Sequence, residues 1–127
     1  MASKGVSSGW PVLASALLTM GAVPAIAHHT FATFDWTQKV QLRGTVKELK
    51  WTSPHCSLQL LVTLDGAVQE WNLEMNAPPA LYRDGWRPGS LKPGDRITVL
   101  INPARVGRHR GRFVSAVGPD GKKLSSG

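Results

Sequence analysis

From Lys39 onward, apolar residues recur at every second position in successive short runs, the period of strands that bury one face and wet the other. Lys39 to Trp51 (KVQLRGTVKELKW) alternates Val40, Leu42 and Val46 with polar neighbours, then slips one step so that Leu49 and Trp51 fall out of phase. That slip, with Gly44 inside the run, predicts a bulge or bend of the kind that lets a long first strand serve two sides of a small barrel. Ser57 to Leu64 sets Leu58, Leu60, Val62 and Leu64 on one face, and Ala67 to Met75 returns with Trp71, Leu73 and Met75 in phase. Asp65-Gly66 between them supplies the residue types of a two-residue hairpin turn. After the turn Lys92-Pro93-Gly94-Asp95, Arg96 to Ile101 alternates Ile97, Val99 and Ile101, and a last strand is expected around Arg112 to Val117, before Gly118-Pro119-Asp120-Gly121 and a polar tail.

One segment breaks the two-residue period. Asn76 has the side chain of a helix N-cap, Pro78 and Pro79 fit only a first helical turn, and Gly85 can close a helix in the left-handed conformation, so a short helix is predicted near Pro78 to Asp84. Five strands with a helix between the third and fourth is the element order of an OB-fold, a small, partly open Greek-key barrel. The expected fold is therefore an all-β, OB-like five-stranded barrel over residues 39–127. The alternative is a small β-sandwich to which Phe31 to Trp36 adds a sixth strand.

Residues 1–27 read differently from the rest. Lys4 gives a positive n-region, Trp10 to Val23 an apolar h-region, and Ala25-Ile26-Ala27 an A-x-A site, the three parts of a cleavable signal peptide. The apolar stretch is shorter than the roughly 20 residues needed to span a bilayer. Cleavage after Ala27 would leave a mature chain opening HHTFATFDW, with 28–38 as an N-terminal segment ahead of the barrel, in the periplasm or outside the cell.

Location changes the meaning of the charge. The chain carries 15 basic and 8 acidic residues, net +7, of which the signal holds only Lys4. In the cytoplasm that excess would suggest nucleic acid; an export signal argues against it, and anionic headgroups, cell-wall polymers, glycans or a periplasmic protein partner replace it. Arg105, Arg108, Arg110 and Arg112 fall in a Gly-punctuated stretch expected to be a solvated loop. Cys56 is the single cysteine, so no internal disulfide can form, and burial is its expected state.

The candidate chemistry lies in the histidines. A mature N-terminal His28 offers its free amine and imidazole together, a chelating pair for one metal ion, and His55 follows Trp51-Thr52-Ser53-Pro54 in the loop after strand one, which in an OB architecture borders the binding face. His28 and His55 would make a T-shaped three-nitrogen site, a histidine brace, with His29 as a further ligand. Copper leads on affinity for such nitrogen sets and zinc follows. Reach is the physical objection: strand one carries His55 away from the N-terminal segment, which must run back along the strand to deliver His28. Cys56 adjoins His55 but should face the other way. Glu74, out of phase with Trp71 and Leu73, is expected at the solvent or paired with an arginine.

Trp51, Trp71 and Trp86, with Arg105, form the rival expectation: an aromatic and cationic surface of a metal-free module that binds a glycan, a polyanion or a protein. The plainer reading of these tryptophans, and of Trp36, is that they fill a small core. The chain has no nucleophile elbow, paired-carboxylate spacing, HExxH or phosphate-cradling glycine loop, so binding leads over enzymatic activity.

At HHTFATFD (28–35), GTVKELKWTSPH (44–55), EWNLEMNAP (70–78) and LKPGDRITV (91–99) the chain resembles the small exported proteins of domain-of-unknown-function family 6152. Thr30 and Ser53 stand where that family typically has serine and asparagine, while Asn102-Pro103 with Gly107 keeps its NPxxxG element. The resemblance implies an exported domain and marks His28, His29 and His55 as positions to test. It implies no activity, and the copper site is an inference from the residues alone.

Overall fold

The computed structural model describes residues 1–5, 9 and 32–126, and within them an all-β barrel with one short helix. Its elements are β1 (Val40–Lys50), β2 (Ser57–Leu64), β3 (Ala67–Glu74), α1 (Pro78–Arg83), β4 (Arg96–Pro103), β5 (Arg110–Val117) and β6 (Lys123–Ser125). The strands run in the order β3-β2-β1-β4-β5-β6, and a parallel pairing of β3 with β5 closes the barrel. This is the expected OB-like topology, five strands and a helix between the third and fourth. No helix among the described residues is long and apolar enough to cross a membrane.

The period-2 pattern becomes the core directly. Leu42, Val46, Leu58, Leu60, Val62, Leu73, Ile97, Val99, Ile101, Phe113 and Ala116 point inward and pack with Leu81 of α1 and with Trp86 and Leu91. The phase slip in β1 is a bulge: Val46 pairs with Leu60 and Glu48 with Gln59, leaving Lys47 without a partner residue on β2. The bulge thus sits three residues beyond Gly44. Gly44 itself serves a close approach, since a Cβ there would stand 2.5 Å from the Leu61 carbonyl oxygen and 2.8 Å from Leu60 Cγ.

The β2–β3 turn is as expected: Asp65 (φ 50°) and Gly66 (φ 77°) are both left-handed, as a two-residue hairpin turn requires. Gly85 closes α1 at φ 87°. The N-cap expectation is corrected, because Ala77 occupies that position without a side-chain cap and Asn76 is used elsewhere. The polar tail also holds more than expected. Its Lys123–Ser125 pairs with β5 as β6, and Ser125 accepts a 2.8 Å hydrogen bond from Trp86 Nε1.

The expected sixth strand from Phe31 to Trp36 reduces, among the described residues, to one bridge between Phe34 and Ala104. Residues 33–38 nonetheless form a strap tied to the barrel. Asp35 N donates to the Pro103 carbonyl at 2.8 Å, Arg105 N to Thr33 at 2.9 Å, and Asn102 Nδ2 to Gln38 at 2.7 Å. Phe34 is 1% exposed, so the end of the N-terminal segment expected ahead of the barrel is part of the packed structure. The signal segment 6–8 and 10–27, His28 and His29 lie outside the described residues.

Candidate functional site

The β1–β2 loop crosses the barrel end beside the parallel β3–β5 seam. It contains a cis peptide between Ser53 and Pro54 and ends at His55 and Cys56, which diverge as strand alternation demands. Cys56 enters the core, fully buried, and burial pushes its thiol above the usual range, as suits an inert group. The His55 side chain stays 44% exposed over the seam, with Nδ1 3.8 Å from Glu74 Oε1.

Glu74 is fixed from the other side by Arg112, whose Nη1 lies 3.2 Å from Oε1. The same guanidinium donates to the Met75 carbonyl at 2.9 Å and, through Nη2, to Asn76 Oδ1. Burial works against the charge on Arg112 and lowers its pKa, while the Glu74 carboxylate opposes that fall. Glu74 is thus paired with an arginine, as expected. This arginine lies on the last strand, as expected, but only 15% of its side chain is exposed, which corrects the solvated-loop expectation for its basic stretch.

Around this pair lies a cleft of about 150 Å³ lined by His55, Ser57, Asn72, Glu74, Arg110 and Phe34, among others. Phe34 brings the N-terminal strap to the same cleft as His55. Sequence reasoning placed His55 at the binding end but missed Phe34, Asn72 and Arg110 as its neighbours and Arg112 behind Glu74. The signal for Arg112 was there in the charge reversal between Glu74 and Arg112, which become register partners across the parallel pair. Only the closing of the barrel brings those two positions together.

The strap carries its own electrostatics. Asp35 accepts from the Thr37 hydroxyl at 2.6 Å and from its N–H at 3.1 Å, which hold its carboxyl below the usual range, with Arg105 Nη2 at 3.5 Å adding to the effect. Arg105 Nε also donates to the Phe34 carbonyl at 3.2 Å. Arg105 is therefore a clamp on the strap, although half its side chain faces solvent.

The expected tryptophan surface does not form as one patch. Trp86 is fully buried, edge-on to Phe113 at 5.4 Å, which corrects its placement on a ligand surface. Trp51 is half-buried against Tyr82 at 5.3 Å near α1. Trp71 lies in the middle of β3, half-buried under His109, with ring centroids 5.3 Å apart. His109 holds a left-handed φ of 54° while its carbonyl accepts from Asn72 N at 2.9 Å. Trp36 is 40% exposed beside Phe34. Among the described residues no group of three or more His, Cys, Asp or Glu side chains is arranged to hold a metal ion.

The model of a family described as a family of unknown function (DUF6152) matches residues 16–113, well over half the chain, and the chain belongs to that family. No curated protein and no solved structure matches it.

Proposed function

We propose that this family member is an exported copper-binding protein in which a mature N-terminal His28, chelating through amine and imidazole, joins His55 at the β3–β5 seam, with His29 as a further ligand. The observation that carries this reading is the position of Phe34. It lies only six residues after His28, and six residues can cover about 20 Å when extended. With Phe34 already lining the cleft beside His55, the reach objection raised by the length of β1 falls away.

The surroundings of His55 support the same reading. Glu74 faces Nδ1, leaving Nε2 directed to a metal, and Arg112 keeps the carboxylate in place. A carboxylate on the Nδ1 side of an imidazole favours the ring orientation that turns Nε2 away from it. Copper would be bound here as cargo or resident ion, with zinc second, and the chain's own part is to supply three nitrogens at a packed barrel end.

The test is to express the precursor, purify the exported protein, and combine intact mass with metal analysis before and after copper titration. The reading expects a mass starting at His28 and one tightly held copper per chain, lost in His55→Ala. An added N-terminal residue should also abolish tight binding, because it removes the chelating amine. A mature start elsewhere, or correct processing with no copper retained, sinks the brace. The metal-free module would then be left, recognisable by salt-dependent ligand binding that survives alanine at His28 and His55.

A further inference from the structure

The cleft sits on the outside of the β3–β5 seam, and in a barrel closed through β3-β2-β1-β4-β5 the strand farthest from that seam is β1. The outward residues of β1, β2 and β4 make a separate surface. Arg43, Thr45, Leu61, Thr63, Arg96 and Thr98 line an open groove of about 370 Å³. A second groove of about 290 Å³ shares Arg43 and Thr63 and continues to Leu64 at the hairpin end.

The charge on this face is uncompensated. Arg43 and Arg96 are exposed, and the ion pairs among the described residues, such as Arg105 with Asp35 and Arg112 with Glu74, do not involve them. Neither groove is lined by a carboxylate of the described residues. The nearest acids in register are engaged or stand apart: Glu70, opposite Leu61, is held by Lys47 at 2.8 Å, Asp95 accepts from Lys92 N at 2.8 Å, and Asp65 is on the turn. On the same outward face as the cations, Leu61 lines the first groove and Val68, the partner of Thr63, is 67% exposed.

Cations flanked by exposed aliphatic side chains select among polyanions. A soluble polyanion satisfies the arginines and leaves Leu61 and Val68 in water, whereas the headgroup layer of an anionic bilayer offers phosphates to the first and the acyl boundary to the second. We propose that the β1-β2-β4 face docks on an anionic phospholipid bilayer. Docked this way, the barrel holds the His55 cleft away from the membrane and open to the surrounding compartment. The inference stands independently of copper.

The exported protein is sedimented with vesicles of phosphatidylcholine alone and with added phosphatidylglycerol, at rising salt. Binding should require phosphatidylglycerol and fall with salt, and Arg43→Gln and Arg96→Gln should each weaken it roughly fivefold, while the lysine replacements retain most of it. Leu61→Ser with Val68→Ser should weaken it without changing the salt dependence. Neither arginine holds another group in place, so circular dichroism of these variants should match the parent. Equal binding to neutral vesicles would assign it to apolar contact without the arginines and overturn the proposal. So would anionic binding unchanged in the double arginine variant, displacement by inorganic phosphate at constant ionic strength, or capture of heparin in place of vesicles.

Discussion

At the scale of single residues, Arg112 does more than its place in a basic stretch suggests. Its guanidinium ties β5 to Glu74, to the Met75 carbonyl and to Asn76, so it fixes both the carboxylate behind His55 and the entry to α1. Replacing it with alanine strands Glu74 and frees a buried carbonyl, and each lost hydrogen bond to a charged group is worth about 1.5–3 kcal/mol before relaxation. Arg112→Ala should therefore lower stability by about 2–4 kcal/mol in urea denaturation, and Arg112→Met, which keeps the volume, should recover little of it. Glu74→Gln tests the site more gently: copper affinity should drop about tenfold while the fold persists. Strand alternation left Glu74 either at the solvent or paired with an arginine. Which arginine followed from β3 and β5 pairing in parallel, and Asn76, a good N-cap by type, was drawn to that arginine from the helix it precedes.

Elements were legible wherever one face is buried along a whole strand. β1 to β5 each alternate enough apolar residues to declare themselves, and Asp65-Gly66 fixes the β2–β3 register because both residues must be left-handed. β6 was not legible, since Lys-Leu-Ser offers one apolar side chain and gains its strand character only from the β5 edge. Gly44 is an intermediate case. Sequence marked it as a place of bending, whereas the bend is at Lys47 and the glycine lets β1 lie close on β2. A methyl group there meets backbone, the Leu61 carbonyl, that cannot move without parting the two strands. Gly44→Ala should cost about 1–3 kcal/mol, whereas at Gly89, where nothing lies within 4 Å, alanine should be close to neutral. Thermal melts of the two variants side by side separate steric approach from any general effect of removing a glycine.

For the molecule as a whole, the barrel is closed by two short segments that share the same side of β5: β3 through Asn72–Glu74 and β6 through Lys123–Ser125. The first forms the floor of the His55 cleft. The second seals the opposite end of β5, where Ser125 accepts from the indole of the fully buried Trp86 and Leu124 packs on the core. Removing residues 118–127 would therefore orphan a buried N–H, at about 1–3 kcal/mol, uncover a partly buried leucine, at about 1 kcal/mol, and open the edge of β5 at Ser115–Val117. A total loss of about 3–5 kcal/mol is expected, read as a lower urea midpoint with Trp86 fluorescence shifted to the red. Trp86→Phe in the full-length chain keeps β6 and an aromatic ring against Phe113 while removing the donor, so its loss bounds from above what the hydrogen bond contributes, because part of the buried volume goes too. If the truncated protein unfolds at the parent midpoint, β6 lies outside the cooperative unit and the five-stranded barrel is stable alone. If it loses stability as expected while the copper affinity proposed for the parent is unchanged, the two closures of β5 are energetically separate, and the proposed site depends on the β3 seam rather than on the strength of the whole barrel.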